Sequence, residues 1–437
     1  MSGKSPRPRR AFRRIQILLQ KVVSWLAALP QRPEYLAALG IQLLLFPFGH
    51  SFDTRVFFGT AAGVAHGMSP YSIFNLGDYY RTESLVGPVP GIGYAPPWAL
   101  FLAAMYGLAY VPTGNPFALN LAIKVPIILS NLLLARFVRK ALETRGCSPP
   151  WARRAELIVL FNPFLYYTSS FWNMYDTLVA LLFLMSLDYL DRQRPAAAGL
   201  ALGASIALKH LAIPLVPIGW LWIATRAAPS RDRARALVRY NGALLGALGI
   251  LVLLPFLVFR WPFGGFAAAA SYQAQVSGGF SIFRFLPTDF GSSIPLALLG
   301  YLPAMAVVAA YAFLYRTPLV DFGDLSQLAL VIMIVFMTTR TWVSEQNLAM
   351  IFPLVLVPEL LKGRGFRLAN ALGILFLVYA VVNSIPLQFA FLLSPSAPAL
   401  AESIANSPIF GPLRQLVLPV CVVVWLALGW SYVVKRT

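Results

Sequence analysis

Apolar residues in this chain run in unbroken blocks, rich in Leu, Ala and Val, and short segments between them hold most of the charge. A crossing helix needs about 20 such residues, so the pattern predicts spans near 34–50, 117–138, 155–171, 174–190, 196–209, 211–225, 238–259, 295–315, 325–338, 347–361, 368–388 and 414–434. The blocks are continuous rather than alternating, which excludes the strands of a closed barrel. The fold class is therefore an all-α polytopic membrane protein with about 12 transmembrane helices, in a range of 11–13. A further apolar run, 97–112, is short and is entered through "YAPP".

Charge decides what to do with that run. If 97–112 crossed, the basic segment "RKALETRGCSPPWARR" at 139–154 would lie outside, against the positive-inside bias. We therefore read 97–112 as an interfacial or re-entrant helix on the outer face. With that choice 27 of the 35 Lys and Arg residues fall inside and 6 outside, while Lys124 and Lys209 lie within spans. Both termini are then cytoplasmic. The cationic tail and amphipathic helix of 1–33 precede a single membrane domain, 34–437, whose outer loops are 51–116 and 260–294.

The composition fits: 58% of the 437 residues are hydrophobic and 12% charged, about half the charge of a soluble domain. The net charge of +19 marks orientation and not nucleic-acid binding, because it sits in short loops between apolar runs. Cys147 and Cys421 stand far apart, and His50, His66 and His210 have no metal-ligand spacing, so neither a disulfide framework nor a zinc site is indicated.

Ionisable groups at a bilayer edge are functional candidates. On the outer side this topology collects Asp53 and Arg55, Asp78, Arg81 and Glu83, Asp176 in "FWNMYD", Lys209 and His210 in "LKH", Arg284 and Asp289, and Arg340 and Glu345 in "TRTWVSEQN". Carboxylates among cations suit chemistry on an anionic substrate: a carboxylate takes a hydroxyl proton while Arg and Lys steady a leaving phosphate. Structural roles stand beside these. Asp53 is placed to cap the helix "TRVFFGTAAGVAHG", Asp176 to cap the fourth span, and Lys124 to snorkel from a helix end. Asp188, Asp191, Asp321 and Asp324 fall inside and read as solvated charges.

The ordered set Asp53, "AAGVAHGMSPY", "YAPPWALFL", "IKVPIILSNLLLA", "FNPFLYYTSSFWNMYDTLVALLFL" and "RPAAAGLALGASIALKHLAIPLVP" resembles the GT-C superfamily of polyprenyl-phosphate-sugar-dependent glycosyltransferases. In style it is similar to prokaryotic glycolipid mannosyltransferases and the GPI mannosyltransferase I catalytic subunit. The resemblance covers about the first half of the chain. It implies a GT-C-type fold with outer surface-lying helices in the first loop and an active site facing outside a prokaryotic plasma membrane. It also implies an inverting hexosyltransferase, mannose being the sugar taken from resemblance alone, that moves the sugar from a polyprenyl-phosphate donor to a lipid or glycolipid acceptor.

By position, Asp53 matches the loop acid that acts as general base, and Lys209 the Lys of a K-x-x-P-type segment near the donor phosphate. Tyr94, Pro96 and Pro97 match the turn into the second surface helix. The remaining substrate-binding candidates are Arg55, His210, Arg284, Arg340, Glu345 and Asp176. Many members carry a second acid where this chain has Arg55, which puts a bound divalent metal in doubt and offers a cation to phosphate or a lipid headgroup instead. No other cofactor is implied. The alternative is a transporter or flippase for an anionic lipid or sugar phosphate, which would line a path from both faces with charge.

Overall fold

The computed structural model describes residues 32–226, 230–275, 278–285, 301–311 and 319–436. Nearly all of the cationic tail, and Asp289, lie outside the described residues. Helices lie in every apolar block predicted from the sequence, in part for 34–50, where the helix ends at Leu44, and for 295–315. In chain order they are α1 (Pro33–Leu44), α2 (Ser51–Ala65), α3 (Pro96–Met105), α4 (Pro116–Glu143), α5 (Pro149–Leu160), α6 (Asp176–Asp191), α7 (Pro195–Leu208) and α8 (Val216–Arg226). There follow α9 (Ser230–Leu248), α10 (Phe263–Gln275), α11 (Tyr301–Ala310), α12 (Phe322–Thr339), α13 (Ile351–Leu361), α14 (Arg367–Asn383), α15 (Ala397–Ala405) and α16 (Phe410–Arg436). Proline opens α1, α3, α4, α5 and α7 at the first turn, where its missing N–H has no intrahelical partner to lose.

Among the described residues four helical stretches are long and apolar enough to cross a membrane: Pro116–Glu143, Arg231–Phe259, Phe322–Thr339 and Phe410–Lys435. The pair Pro149–Phe171 and Asp176–Asp191, bent by 116°, makes a fifth if taken as one broken span. The chain is thus a helical protein with several membrane-crossing elements, and its other apolar helices are shorter. α12 is the central one, with 83% of its apolar window buried, against 22% for the outer stretch Arg231–Phe259.

α7 packs most closely on α9, α4 on α5 and α6, and α12 on α13. Gly199 and Gly203 make the first of these contacts possible. A Cβ at Gly199 would stand 2.0 Å from the Tyr240 carbonyl oxygen, and one at Gly203 2.8 Å from that of Leu244.

The first loop holds α2, α3 and a hairpin in which β1 (Phe74–Asn75) pairs antiparallel with β2 (Pro88–Val89). Nine of the fifteen positions of α2 are buried. α2 sits inside the protein because its small residues Gly59 and Gly63 admit Phe74 and Val89 of the hairpin on one side, while Phe57 meets Trp98 of α3 on the other.

Two polar poles lie at opposite ends of α4. At one end Asn120 and Lys124 donate to the carbonyls of 45–48, the segment that runs into His50. At the other, Arg139 pairs with Glu143 and Glu156, and Arg145 with Asp188 and Asp191. From Lys124 to Arg145 is about 30 Å at the helical rise of ~1.5 Å per residue, close to a hydrocarbon core.

Two expectations change here. Lys124 does not snorkel: it is fully buried, with Nζ 2.8 Å from the Leu45 oxygen, 2.6 Å from that of Phe48 and bonded to that of Ser170. The segment just after α1 and the one before Trp172 turn carbonyls inward, and the ammonium ties the two together. Asp188 is not a solvated charge either, since it is buried between Arg145 and Arg192.

Candidate functional site

α2 begins at Ser51 with His50 as its N-cap, so Asp53 is not the capping residue that its sequence allowed. Its carboxylate turns outward from the helix to other partners. Trp172 Nε1–H donates to Asp53 Oδ2 at 2.7 Å, and His50 Nδ1 lies 3.1 Å from the same oxygen. His50 Nδ1 is also 3.4 Å from the Asp53 backbone nitrogen; the shorter contact, to an anion, favours the proton on Nδ1. The imidazole stacks on the Trp172 indole at 4.5 Å and 10°, and Phe389 abuts both rings edge-on. Oδ1 carries no hydrogen bond among the described residues, and the side chain keeps 22% of its surface. Burial alone would raise its pKa, but hydrogen bonding and charge from His50, then Trp172 and Lys209, outweigh it and hold Asp53 below the usual carboxylate value.

Trp172 and Asp176 come from one turn. The chain reverses by 116° between Phe171 and Asp176, with Asn173 at φ 85°, in the left-handed region that asparagine tolerates better than most residues. Asn173 Nδ2–H donates to Asn120 Oδ1 at 2.7 Å, which fixes the turn against α4. The segment "FWNMYD" thereby sends Trp172 to Asp53 and Asp176 to Lys209.

Asp176 does not cap its helix. Both its oxygens accept from Lys209 Nζ at 2.8 Å, with 3% and 2% of the Lys and Asp side chains exposed, and Asn347 Nδ2–H donates to Oδ1 at 3.2 Å. Lys209 also faces the rings of Tyr94 at 5.1 Å and Tyr175 at 5.6 Å. Tyr94 packs edge-on to Tyr175, and its hydroxyl is pushed well up, by burial first and then by the negative charges of Asp53 and Asp176. Tyr94 therefore lies within reach of the charge of both carboxylates.

His210, the residue after Lys209, meets Arg340: Arg340 Nη2–H donates to His210 Nε2 at 3.2 Å. An arginine only donates, so Nε2 accepts and the neutral ring carries its proton on Nδ1. Burial, then the charges of Arg340 and Lys209, push the His210 pKa down to about 3, which keeps it neutral. Arg340 pairs with no carboxylate among the described residues; its other close neighbour is the Phe336 ring at 6.0 Å.

Three predicted residues stand apart from this group. Glu345 accepts from Asn383 Nδ2, Ser384 Oγ and Ser344 Oγ. Arg284 lies 3.3 Å from the Tyr379 hydroxyl, in a segment tied to 342–343 by the parallel pair β3 (Gly278–Gly279) and β4 (Trp342–Val343). Arg55 donates to the Val86 carbonyl and faces a separate cavity.

The structure thus brings together Asp53, Tyr94, Asp176, Lys209, His210 and Arg340. It adds His50, Trp172, Tyr175 and Asn347, which spacing did not mark. Trp172 and Tyr175 stand inside a motif already singled out for its acid, and an aromatic beside an outer-side carboxylate was the available signal. Among the described residues no group of three His, Cys, Asp or Glu is placed to hold a metal ion. No protein-family model matches the chain, and no curated protein matches it at a significant level.

Proposed function

We propose that this chain is a membrane glycosyltransferase in which Asp53 is the general base, working on the outer face of a protein that crosses the membrane about 12 times. One observation carries this reading: Oδ2 of Asp53 is anchored by Trp172 and His50 while Oδ1 carries no hydrogen bond among the described residues, in a side chain that keeps 22% of its surface. A base needs a fixed carboxylate with a free lone pair, and this is that arrangement. The depressed pKa keeps it ionised at neutral pH.

In the proposed step an acceptor hydroxyl oxygen attacks the anomeric carbon and the bond from that carbon to the donor phosphate oxygen breaks. The hydroxyl proton passes to Asp53 Oδ1, the phosphate departs with the electron pair, and the configuration inverts. Arg340, whose charge no acid matches among the described residues, meets the departing phosphate, and His210 Nδ1–H offers a second donor. Lys209 was the sequence candidate for that contact. Its ammonium is already matched by Asp176, and we assign the pair to holding Tyr94 and Tyr175 in place. The donor is a polyprenyl-phosphate hexose, with mannose first, and the acceptor a lipid or glycolipid.

The test is incubation of the purified chain with labelled polyprenyl-phosphate mannose, glucose or arabinose and a membrane lipid extract. Transfer that disappears in Asp53→Asn supports the reading. No transfer from any donor, together with substrate movement across vesicles, would favour a transporter.

A further inference from the structure

Ser51, Phe52 and Arg55 of α2 line an open cavity of about 750 Å³, bounded by the 383–391 segment, α15 and Arg414 of α16. It shares that segment with the Asp53 clamp: Gln388 lines the cavity while Phe389 packs on His50 and Trp172. Three buried polar atoms on its wall make no hydrogen bond among the described residues, namely Arg55 Nε, Ser84 Oγ and Arg414 Nε. The two guanidiniums are held from behind by oxygen acceptors, Arg55 by the Val86 carbonyl and Arg414 by the Asn383 carbonyl at 3.0 Å and side chain at 3.3 Å. Neither meets a carboxylate among the described residues. Two half-buried cations that line one space, with no carboxylate partner among the described residues, call for an anion there.

We infer that this cavity binds the phosphate of a membrane lipid with a hydroxylated headgroup. Arg55 and Arg414 hold the phosphate, and the exposed carboxylates of Glu83 and Glu402 and the amide of Gln388 accept from headgroup hydroxyls. The volume lies within the ~300–1,000 Å³ of small-ligand sites and far exceeds what one phosphate needs. A lipid fits better than free phosphate because the helices that bound the cavity also bear exposed apolar side chains, Leu400 at 54%, Leu413 at 49% and Leu416 at 64%. That such a lipid is the acceptor whose hydroxyl reaches Asp53 rests on the proposed function; its binding does not.

Binding of dioctanoyl phosphatidylglycerol to the full chain in neutral detergent is compared with that of dioctanoylglycerol and of inorganic phosphate. The phosphorylated lipid is expected to bind at least about tenfold more tightly than either, a gap of ~1.4 kcal/mol. In Arg55→Gln/Arg414→Gln, checked for unchanged elution and melting, that preference falls at least about tenfold. Equal affinity for the two lipids, or an intact preference in the folded double variant, overturns the inference, and inorganic phosphate binding as tightly as the lipid overturns the lipid assignment. The wild-type arms need no variant to fold. Lipid binding retained by a chain that transfers no sugar overturns the proposed function and leaves this site standing.

Discussion

Asp53, Trp172 and His50 act as one unit, and removing either donor should change the acid's chemistry before it changes the fold. Trp172→Phe keeps the stack on His50 and deletes the 2.7 Å hydrogen bond. A hydrogen bond to the charged form lowers a pKa, so its loss raises that of Asp53. The acidic limb of the pH–rate profile should therefore move to higher pH in Trp172→Phe, with the alkaline side unchanged. Lys209 and Asp176 make a different test. Asp176→Asn strands a buried ammonium and should lower stability by about 3–5 kcal/mol, whereas Lys209→Met/Asp176→Leu should recover most of that, read as melting temperature in detergent. His210 titrates at about 3 in the folded chain against an ordinary 6.5. The unfolded chain then binds more protons between those values, so this contribution is complete above about pH 6.5 and declines as pH falls toward 3. His210→Asn should flatten that part of the stability curve.

At the scale of elements, the sequence was most readable where apolar blocks are long. α4, α12 and α16 lie where continuous hydrophobicity placed spans, and the helix after "YAPP" begins at Pro96 as its proline pair suggested. What escaped was carried by contacts between distant segments. Asp53 looks like an N-cap because acids favour that position, yet His50 takes it and the carboxylate is claimed by Trp172, 119 residues away. Lys124 looks like a snorkelling residue because nothing local shows the carbonyls of 45 and 48 that it binds. "GLALG" at 199–203 did carry a signal, a pair of glycines one helical turn apart that lets helix backbones approach. Gly199→Leu should separate α7 from α9 and displace Lys209 at the end of α7. A melting temperature and transfer rate equal to wild type would contradict that packing.

Across the whole molecule α4 carries two polar poles, and loop charge is what assigns them to sides of the membrane. Arg139, Arg145, Arg153 and their acids gather at one end, and the Asp53 group at the other. On the proposed orientation, Glu83→Cys in a Cys147→Ser background should react with a membrane-impermeant maleimide added to intact cells. Cys147 in the native chain should react only after the membrane is opened. The reverse pattern would invert the topology and remove the site from the outer face.

The most direct measurement of the central claim is the transfer rate from labelled polyprenyl-phosphate hexose in Asp53→Asn beside wild type. This change keeps the size of the side chain and removes the base. The account predicts a loss of about 10²- to 10⁴-fold in turnover with donor binding preserved. Asp53→Asn turning over at the wild-type rate would contradict it.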